Sequence, residues 1–121
     1  MRCALETFAR IETQARRVVV LGDMRELGAD SERFHRDLGR LVAAGPWRMV
    51  VAVGADSRWV VEEAVAGGFP ASAIHHFGDT AAAAQGIRAL VRPGDLLLFK
   101  ASRGMALERV EEVVLRERQL A

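Results

Sequence analysis

A short charged loop near the start of the chain carries residue types that could bind a polar ligand. It reads Leu21-Gly22-Asp23-Met24-Arg25-Glu26-Leu27-Gly28. Its two glycines allow a sharp turn and a positive φ. The carboxylates of Asp23 and Glu26 could receive an ammonium group or accept a hydrogen bond from a sugar hydroxyl. The alternative is a solvated connection whose charges only keep the surface polar.

A basic segment lies near the other end of the chain. Lys100 ends an apolar run, and Ser102 and Arg103 follow it where a helix is predicted to begin. Free backbone N–H groups at a helix start attract anions, and the two cationic side chains add full positive charge. A carboxylate or phosphate would suit this segment. The alternative is that Lys100 lies at a strand end with its ammonium group in solvent and that Ser102 is an ordinary N-cap.

Taken together, one acidic loop and one basic segment could hold a zwitterion such as an amino acid or a dipeptide. His35 could reach the acidic loop from the next predicted helix, although a histidine packed on a helix is the more common outcome. His75 and His76 are adjacent on a predicted strand, so they point to opposite faces and cannot share a metal ion. Cys3 has no base near it in sequence. No metal site is predicted.

Several familiar catalytic patterns are missing. There is no G-x-x-x-x-G-K-[ST] phosphate loop, and no G-x-G-x-x-G follows the first predicted strand. No nucleophile–base pair is apparent. We therefore expect no catalytic residue in this domain, and no cofactor bound by the domain alone.

Strand-like and helix-like segments alternate along the chain and supply the elements that would position these residues. Four apolar runs predict strands at Arg17–Leu21, Arg48–Val53, Ala73–Phe77 and Leu96–Lys100. A first helix is predicted over Ala4–Thr13, with a stripe of Leu5, Phe8 and Ile11. The later helices are predicted to begin at Asp30 or Ser31, at Asp56 or Ser57, at Asp79-Thr80 and after Ser102–Gly104. Their apolar stripes are Phe34, Leu38, Leu41 and Val42; Val60, Val61, Ala64 and Val65; Ala83, Ile87, Leu90 and Val91; and Leu107, Val110, Val113 and Val114.

This alternation predicts the fold class. A mainly parallel sheet of about four strands with helices on both faces is an α/β, Rossmann-like three-layer sandwich. The commonest winding would order the strands 3-2-1-4. Strands 1 and 4 would then be neighbours where the winding reverses, and ligands in open α/β sheets bind outside the carboxyl ends of the strands at such a point. The acidic loop and the basic segment would lie there side by side.

Composition limits the class of protein. The chain has 121 residues, 50% of them hydrophobic, which suits a single domain over residues 1–121. A formal net charge of +1 gives no indication of a nucleic-acid or membrane partner. One cysteine excludes an internal disulfide, and the first residues lack the apolar core of a signal peptide. We expect a soluble protein of the cytoplasm.

Two segments resemble a known family. Val20–Gly28, with His35 and Gly39 after it, resembles the VLGDMxELG…H…G pattern of the D-alanyl-D-alanine-adding branch (MurF) of the Mur ligases, bacterial cell-wall amide ligases. Gly94–Met105 resembles the GDxxLxKGSRxM segment of the same branch, although Ala101 stands where the family usually has glycine. Met1 with Ala4-Leu5-Glu6 resembles the helix after that family's Asn-Ala-Asn-Pro stretch.

The resemblance implies a function for a longer protein. Such enzymes use ATP and Mg²⁺ to join D-Ala-D-Ala to UDP-N-acetylmuramoyl-tripeptide through an acyl phosphate. They have a UDP-sugar-binding domain and a central ATPase domain, and this chain would be the C-terminal domain that closes over both and is inactive alone. By position, Asp23, Met24, Arg25, Glu26, Leu27, His35, Lys100, Ser102 and Arg103 would face the cleft between domains. The alternatives are the C-terminal domain of another Mur ligase or of folylpolyglutamate synthase, and a stand-alone Rossmann-like binding module.

Overall fold

The computed structural model describes residues 2–24 and 28–101, and it contains four strands and four α-helices in that part of the chain. The strands are β1 (Arg17–Gly22), β2 (Met49–Val53), β3 (Ile74–Phe77) and β4 (Leu96–Lys100). The helices are α1 (Arg2–Arg10), α2 (Ser31–Ala43), α3 (Ser57–Ala66) and α4 (Thr80–Gly86). Each strand agrees with its prediction to within one residue at either end.

The four strands form one parallel sheet in the order β3-β2-β1-β4, as predicted. β1 and β2 lie in the middle of the sheet, and β2 is buried along its whole length. Strands buried on both faces need apolar side chains at every position rather than at alternate ones. This is why both sequences read as unbroken runs of valine and other apolar residues.

Helices cover both faces of the sheet, so the α/β three-layer prediction is confirmed. On one face, Val19, Leu21 and Val50 pack against α1, α2 and α3. On the other face, the residues at the alternate strand positions, among them Val18, Val20 and Val51, pack against α4 and the turn of 3₁₀-helix at Ile87–Ala89. Alternate strand positions therefore belong to different cores.

Helices α2 and α3 approach each other closely at Gly39. A Cβ atom there would lie 2.6 Å from the carbonyl oxygen of Val60 and 2.7 Å from Cβ of Glu63. Arg36 joins the same two helices by hydrogen bonds to Glu32, Glu62 and Glu63. Gly39 is thus required by helix packing.

An ion pair anchors the start of β4. The Arg16 side chain donates from Nε to Oδ1 of the buried Asp95 over 2.8 Å and from Nη2 to Oδ2 over 2.6 Å. This hydrogen bonding raises the pKa of Arg16 above its usual value. The backbone N–H of Arg92 donates to the same carboxylate, and that of Asp95 donates to the Arg92 carbonyl, which closes the turn over residues 92–95. The register of β4, and with it the position of Lys100, is held from this end.

Some helix predictions were wrong in detail. The first helix ends at Arg10, so Ile11 lies beyond it and is 41% exposed instead of packed. Val65, placed on the apolar stripe of α3, is 39% exposed. The helix opened by Asp79 ends at Gly86, and Leu90 and Val91 follow the 3₁₀ turn, although both still pack on the core. The predicted last helix lies outside the described residues. Over the described part of the chain, none of the helices has the length and apolar character needed to cross a membrane.

Candidate functional site

The carboxyl edge of the sheet brings the two charged segments of the sequence together. β1 and β4 are hydrogen-bonded neighbours, and Leu21 pairs with Lys100. The chain therefore leaves β1 at Gly22 and β4 at Ala101 side by side, where the winding of the sheet reverses. The Lys100 side chain is exposed at this edge, whereas Ala101 is half-buried against the core. The predicted juxtaposition is confirmed for these residues.

The carboxylate of Asp23 accepts hydrogen bonds from the start of helix α3. Oδ1 accepts hydrogen bonds from the backbone N–H of Ser57, at 2.8 Å, and from its hydroxyl, at 2.7 Å. Oδ2 accepts from the backbone N–H of Asp56 at 3.2 Å. These N–H groups lie at the start of α3, so the Asp23 carboxylate caps a helix that begins 34 residues further along the chain.

Asp56, which was predicted as a possible cap of α3, occupies the cap position but makes no side-chain cap bond. Asp30 at the start of α2 makes none either. The start of α3 is consequently already neutralised by the Asp23 carboxylate and is not an open site for an anion.

Gly54 lets Asp23 approach. A Cβ atom at Gly54 would lie 2.4 Å from Cγ of Asp23, and the residue has φ +114°, a conformation that favours glycine. Its backbone N–H donates to the Phe77 carbonyl, and its own carbonyl accepts from Nε2 of His76 at 2.7 Å. The ends of β1, β2 and β3 are thereby tied together through one residue.

His35 holds the acidic loop from the other side. Its ring is fully buried, and its Nε2 accepts the backbone N–H of Met24 at 3.1 Å. Because a backbone N–H can only donate, Nε2 carries no proton in this contact and Nδ1 carries it. Nδ1 lies 2.7 Å from the carbonyl oxygen of Ser31, to which it donates. His35 therefore contacts the loop, as the sequence allowed, and does so from a fully buried ring.

Ser31 and Asp56 complete a continuous set of contacts. The Ser31 hydroxyl donates to Oδ2 of Asp56 at 2.8 Å. The loop after β1, the start of α2 and the start of α3 are therefore joined by side-chain hydrogen bonds through His35, Ser31, Asp56 and Asp23. A network of satisfied polar groups of this kind rigidifies the region around it.

The remaining predicted site residues divide as follows. Five of them lie outside the described residues: Arg25, Glu26, Leu27, Ser102 and Arg103. The structure brings Asp23, Met24 and His35 together and puts Lys100 on the neighbouring strand. Sequence reasoning missed Ser31, Gly54 and His76 as parts of this edge. Ser57 was named only as a possible helix start, because nothing local to it indicates that its cap comes from Asp23.

The described residues contain no group of three or more histidine, cysteine or acidic side chains placed to hold a metal ion. The polar groups of the edge mostly bind one another, and Lys100 is the exposed charge among the predicted site residues described there. The carboxyl edge can therefore present the positive charge of Lys100 beside a loop and two helix starts that hydrogen bonds hold in place.

Comparison with known proteins assigns the chain to a family. A family model described as "Mur ligase, glutamate ligase domain" matches residues 1–103. The chain belongs to the Mur ligase family. This Mur ligase domain is 32% identical over 110 residues to UDP-N-acetylmuramoyl-tripeptide–D-alanyl-D-alanine ligase of Bacillus subtilis, a match that covers 91% of the chain and 24% of the relative. The ligase of the same name from Mycobacterium leprae is 40% identical over 98 residues, covering 79% of the chain and 19% of the relative.

Solved structures agree with this assignment. MurF from Acinetobacter baumannii superposes with a TM-score of 0.80 at 29% identity, over 96% of this chain and 25% of that one. MurF from Thermotoga maritima in complex with ADP gives a TM-score of 0.73 at 26% identity, over 98% of this chain and 26% of that one. The Mur ligase domain thus spans about a quarter of the length of these proteins.

Proposed function

We propose that this Mur ligase domain, residues 1–121, is the C-terminal domain of an ATP-dependent ligase that adds D-alanyl-D-alanine to UDP-N-acetylmuramoyl-tripeptide. The pairing of Leu21 with Lys100 carries the proposal, because it sets the two motif segments side by side at the point where an open α/β sheet binds ligands. The names of the relatives supply the reaction.

The catalytic work would fall to other domains of the same protein. A central ATPase domain would hold the nucleotide and Mg²⁺, since the described residues of this domain offer no cluster for a metal ion. A further domain would bind the UDP-sugar. ATP would transfer its terminal phosphoryl group to the peptide carboxylate, which gives an acyl phosphate and ADP. The dipeptide amine, having lost a proton, would then attack the acyl carbon and displace phosphate. We propose that the reaction takes place in the bacterial cytoplasm and that this domain alone is inactive.

Within that reaction, the domain would close over the substrates and present charge. Lys100 is suited to the dipeptide carboxylate or to the charge that develops on the transferred phosphoryl group, since both are anionic. Arg103, Ser102 and the loop residues Arg25, Glu26 and Leu27 belong to the same two segments and are proposed to line the cleft with it. Asp23 and His35 have their hydrogen-bonding atoms engaged inside the domain, so we propose that they support the loop.

A chimera tests the proposal. The chain would replace the matching C-terminal quarter of the Bacillus subtilis relative, and release of ADP dependent on D-alanyl-D-alanine would be measured. We expect dipeptide addition by the chimera and none by the chain alone. Lys100→Ala should lower kcat/KM for the dipeptide about tenfold or more, the effect of losing one hydrogen bond to a charged group. Arg33→Ala removes an equally charged, exposed side chain on α2 and should leave activity unchanged.

Two results would contradict the proposal. One is ligation or ATP hydrolysis by the isolated chain. The other is a chimera that binds the UDP-linked substrate but adds no dipeptide. Reading the coding sequence upstream gives an independent answer, since we expect a phosphate loop followed by Asn-Ala-Asn-Pro there, and a gene without them would also refute it.

A further inference from the structure

The contact between His35 and Met24 is the point at which the motif loop is tied to helix α2. We infer that His35 is a positioning residue: its Nε2 holds the backbone N–H of Met24 and so determines how the loop leaves β1. The inference deepens the proposed function and rests on it for its effect on the reaction. The hydrogen bond itself can be tested without any ligase activity.

The geometry makes His35 suited to this role. The ring is fully buried on α2 and packs edge-on to Phe34, with the ring of Trp59 at a centroid distance of 6.2 Å. It therefore has little freedom to rotate. Its two nitrogens divide the work: Nδ1 donates to Ser31 of its own helix at 2.7 Å, and Nε2 accepts from the loop at 3.1 Å.

The direction of each proton in this set of contacts is consistent. The Met24 N–H points to Nε2, the Nδ1 proton points to Ser31, and the Ser31 hydroxyl donates to Asp56. No donor faces a donor. A buried imidazole with both nitrogens engaged is closed to a substrate, so it acts on the reaction through Met24.

A functional consequence follows for substrate binding. If the hydrogen bond from Met24 to His35 is lost, the backbone after β1 can adopt several conformations. Only a fraction of the molecules then has the conformation that binds the dipeptide. Apparent affinity falls by that fraction, while molecules that have bound their substrate react normally. The loss of one backbone hydrogen bond costs about 1.4 kcal/mol, which corresponds to a tenfold fall in apparent affinity. KM for the dipeptide should rise and kcat should be nearly unchanged.

Two substitutions separate the two nitrogens. In His35→Gln, the side-chain carbonyl oxygen can reach the place of Nε2 and accept from Met24, but the contact with Ser31 is lost. In His35→Asn, the shorter amide can replace Nδ1 and donate to Ser31, but it cannot reach Met24. Each variant loses the imidazole packing, so each serves as the matched control of the other.

Hydrogen exchange of the Met24 amide in the 121-residue chain is the direct test, with the amide of Val19 in β1 as the internal reference for global stability. We expect Met24 protection relative to Val19 to fall about tenfold in His35→Asn and to stay within about threefold of wild type in His35→Gln. Equal loss in both variants, or no loss in either, would overturn the inference.

Kinetics in the chimera provide the second readout. His35→Asn should raise KM for D-alanyl-D-alanine about tenfold with kcat within about twofold, and His35→Gln should behave as wild type. A fall of kcat in both variants with intact Met24 protection would show that the imidazole acts directly in the reaction, against the inference. An unsubstituted chimera that binds the UDP-linked substrate but adds no dipeptide would refute the proposed function only, since the exchange result does not depend on it.

Discussion

Replacing Asp23 by alanine should destabilise the domain more than the loss of an ordinary helix cap. The carboxylate accepts from the backbone N–H groups of Asp56 and Ser57 and from the Ser57 hydroxyl. The hydroxyl also lies 3.0 Å from the carbonyl oxygen of Val53 and keeps that acceptor without Asp23, whereas the two N–H groups have no other side-chain cap in the described structure. Without it, the half-buried start of α3 loses its charge-assisted hydrogen bonds and its neutralising charge together.

The magnitude follows from those contacts. An N-cap residue contributes about 0.5 to 2 kcal/mol, and a hydrogen bond to a charged group about 1.5 to 3 kcal/mol, with incomplete additivity. We expect Asp23→Ala to cost about 3 kcal/mol. Asp23→Asn keeps an oxygen for Ser57 but turns an amide N–H towards the N–H of Asp56, so it should cost about 1 kcal/mol less than alanine.

Urea unfolding of the 121-residue chain measures the effect. With a slope of about 2 kcal/mol per molar, a loss of about 3 kcal/mol lowers the midpoint by roughly 1.5 M at unchanged slope. Asp79→Ala is the matched control, because Asp79 caps α4 locally through a single bond to Ala82 and should cost about 1 kcal/mol. If Asp23→Ala is no more destabilising than Asp79→Ala, the long-range cap is not what holds this edge together.

Two glycine substitutions test the packing around the same edge, each by urea unfolding. Gly54→Ala and Gly68→Ala both force a side chain into a positive φ, at about 1 to 2 kcal/mol each, but only at Gly54 would the new Cβ also meet the Asp23 carboxylate. Gly54→Ala should therefore be the more destabilising by about 2 kcal/mol, and equal effects would contradict the close approach. Gly39→Ala should destabilise by about 2 kcal/mol although alanine is the better helix former, because its Cβ would meet α3; a stabilised variant would contradict that contact.

The fold was largely predictable because its main elements are local in sequence. An unbroken run such as residues 49–53 can only be a strand buried on both faces in a chain of this kind, and prolines and glycines mark the joints between elements. The order of the strands followed from the commonest right-handed winding. The errors at Ile11 and Val65 arose where an apolar residue continues a helical stripe past the surface that the neighbouring elements cover.

The site was predictable only in part. Placement of the loop after β1 beside Lys100 followed from strand order alone. The role of Asp23 did not, because a carboxylate in a glycine-flanked loop has the same local sequence whether it binds a ligand or caps a distant helix. The separation of 34 residues between Asp23 and Ser57 removes any local signal.

The sequence by itself determined the family, the order of the elements and the two segments that meet at the carboxyl edge, because motifs and periodicity are properties of neighbours along the chain. The tertiary structure decided which polar groups remain open to a ligand. Hydrogen bonds saturate: an oxygen of Asp23 that accepts from Ser57, or a ring nitrogen of His35 that accepts from Met24, has little capacity left for a substrate. Which donor reaches which acceptor depends on packing across the sheet, and this packing turns Asp23 and the Met24 amide from suspected ligand contacts into internal supports of the loop.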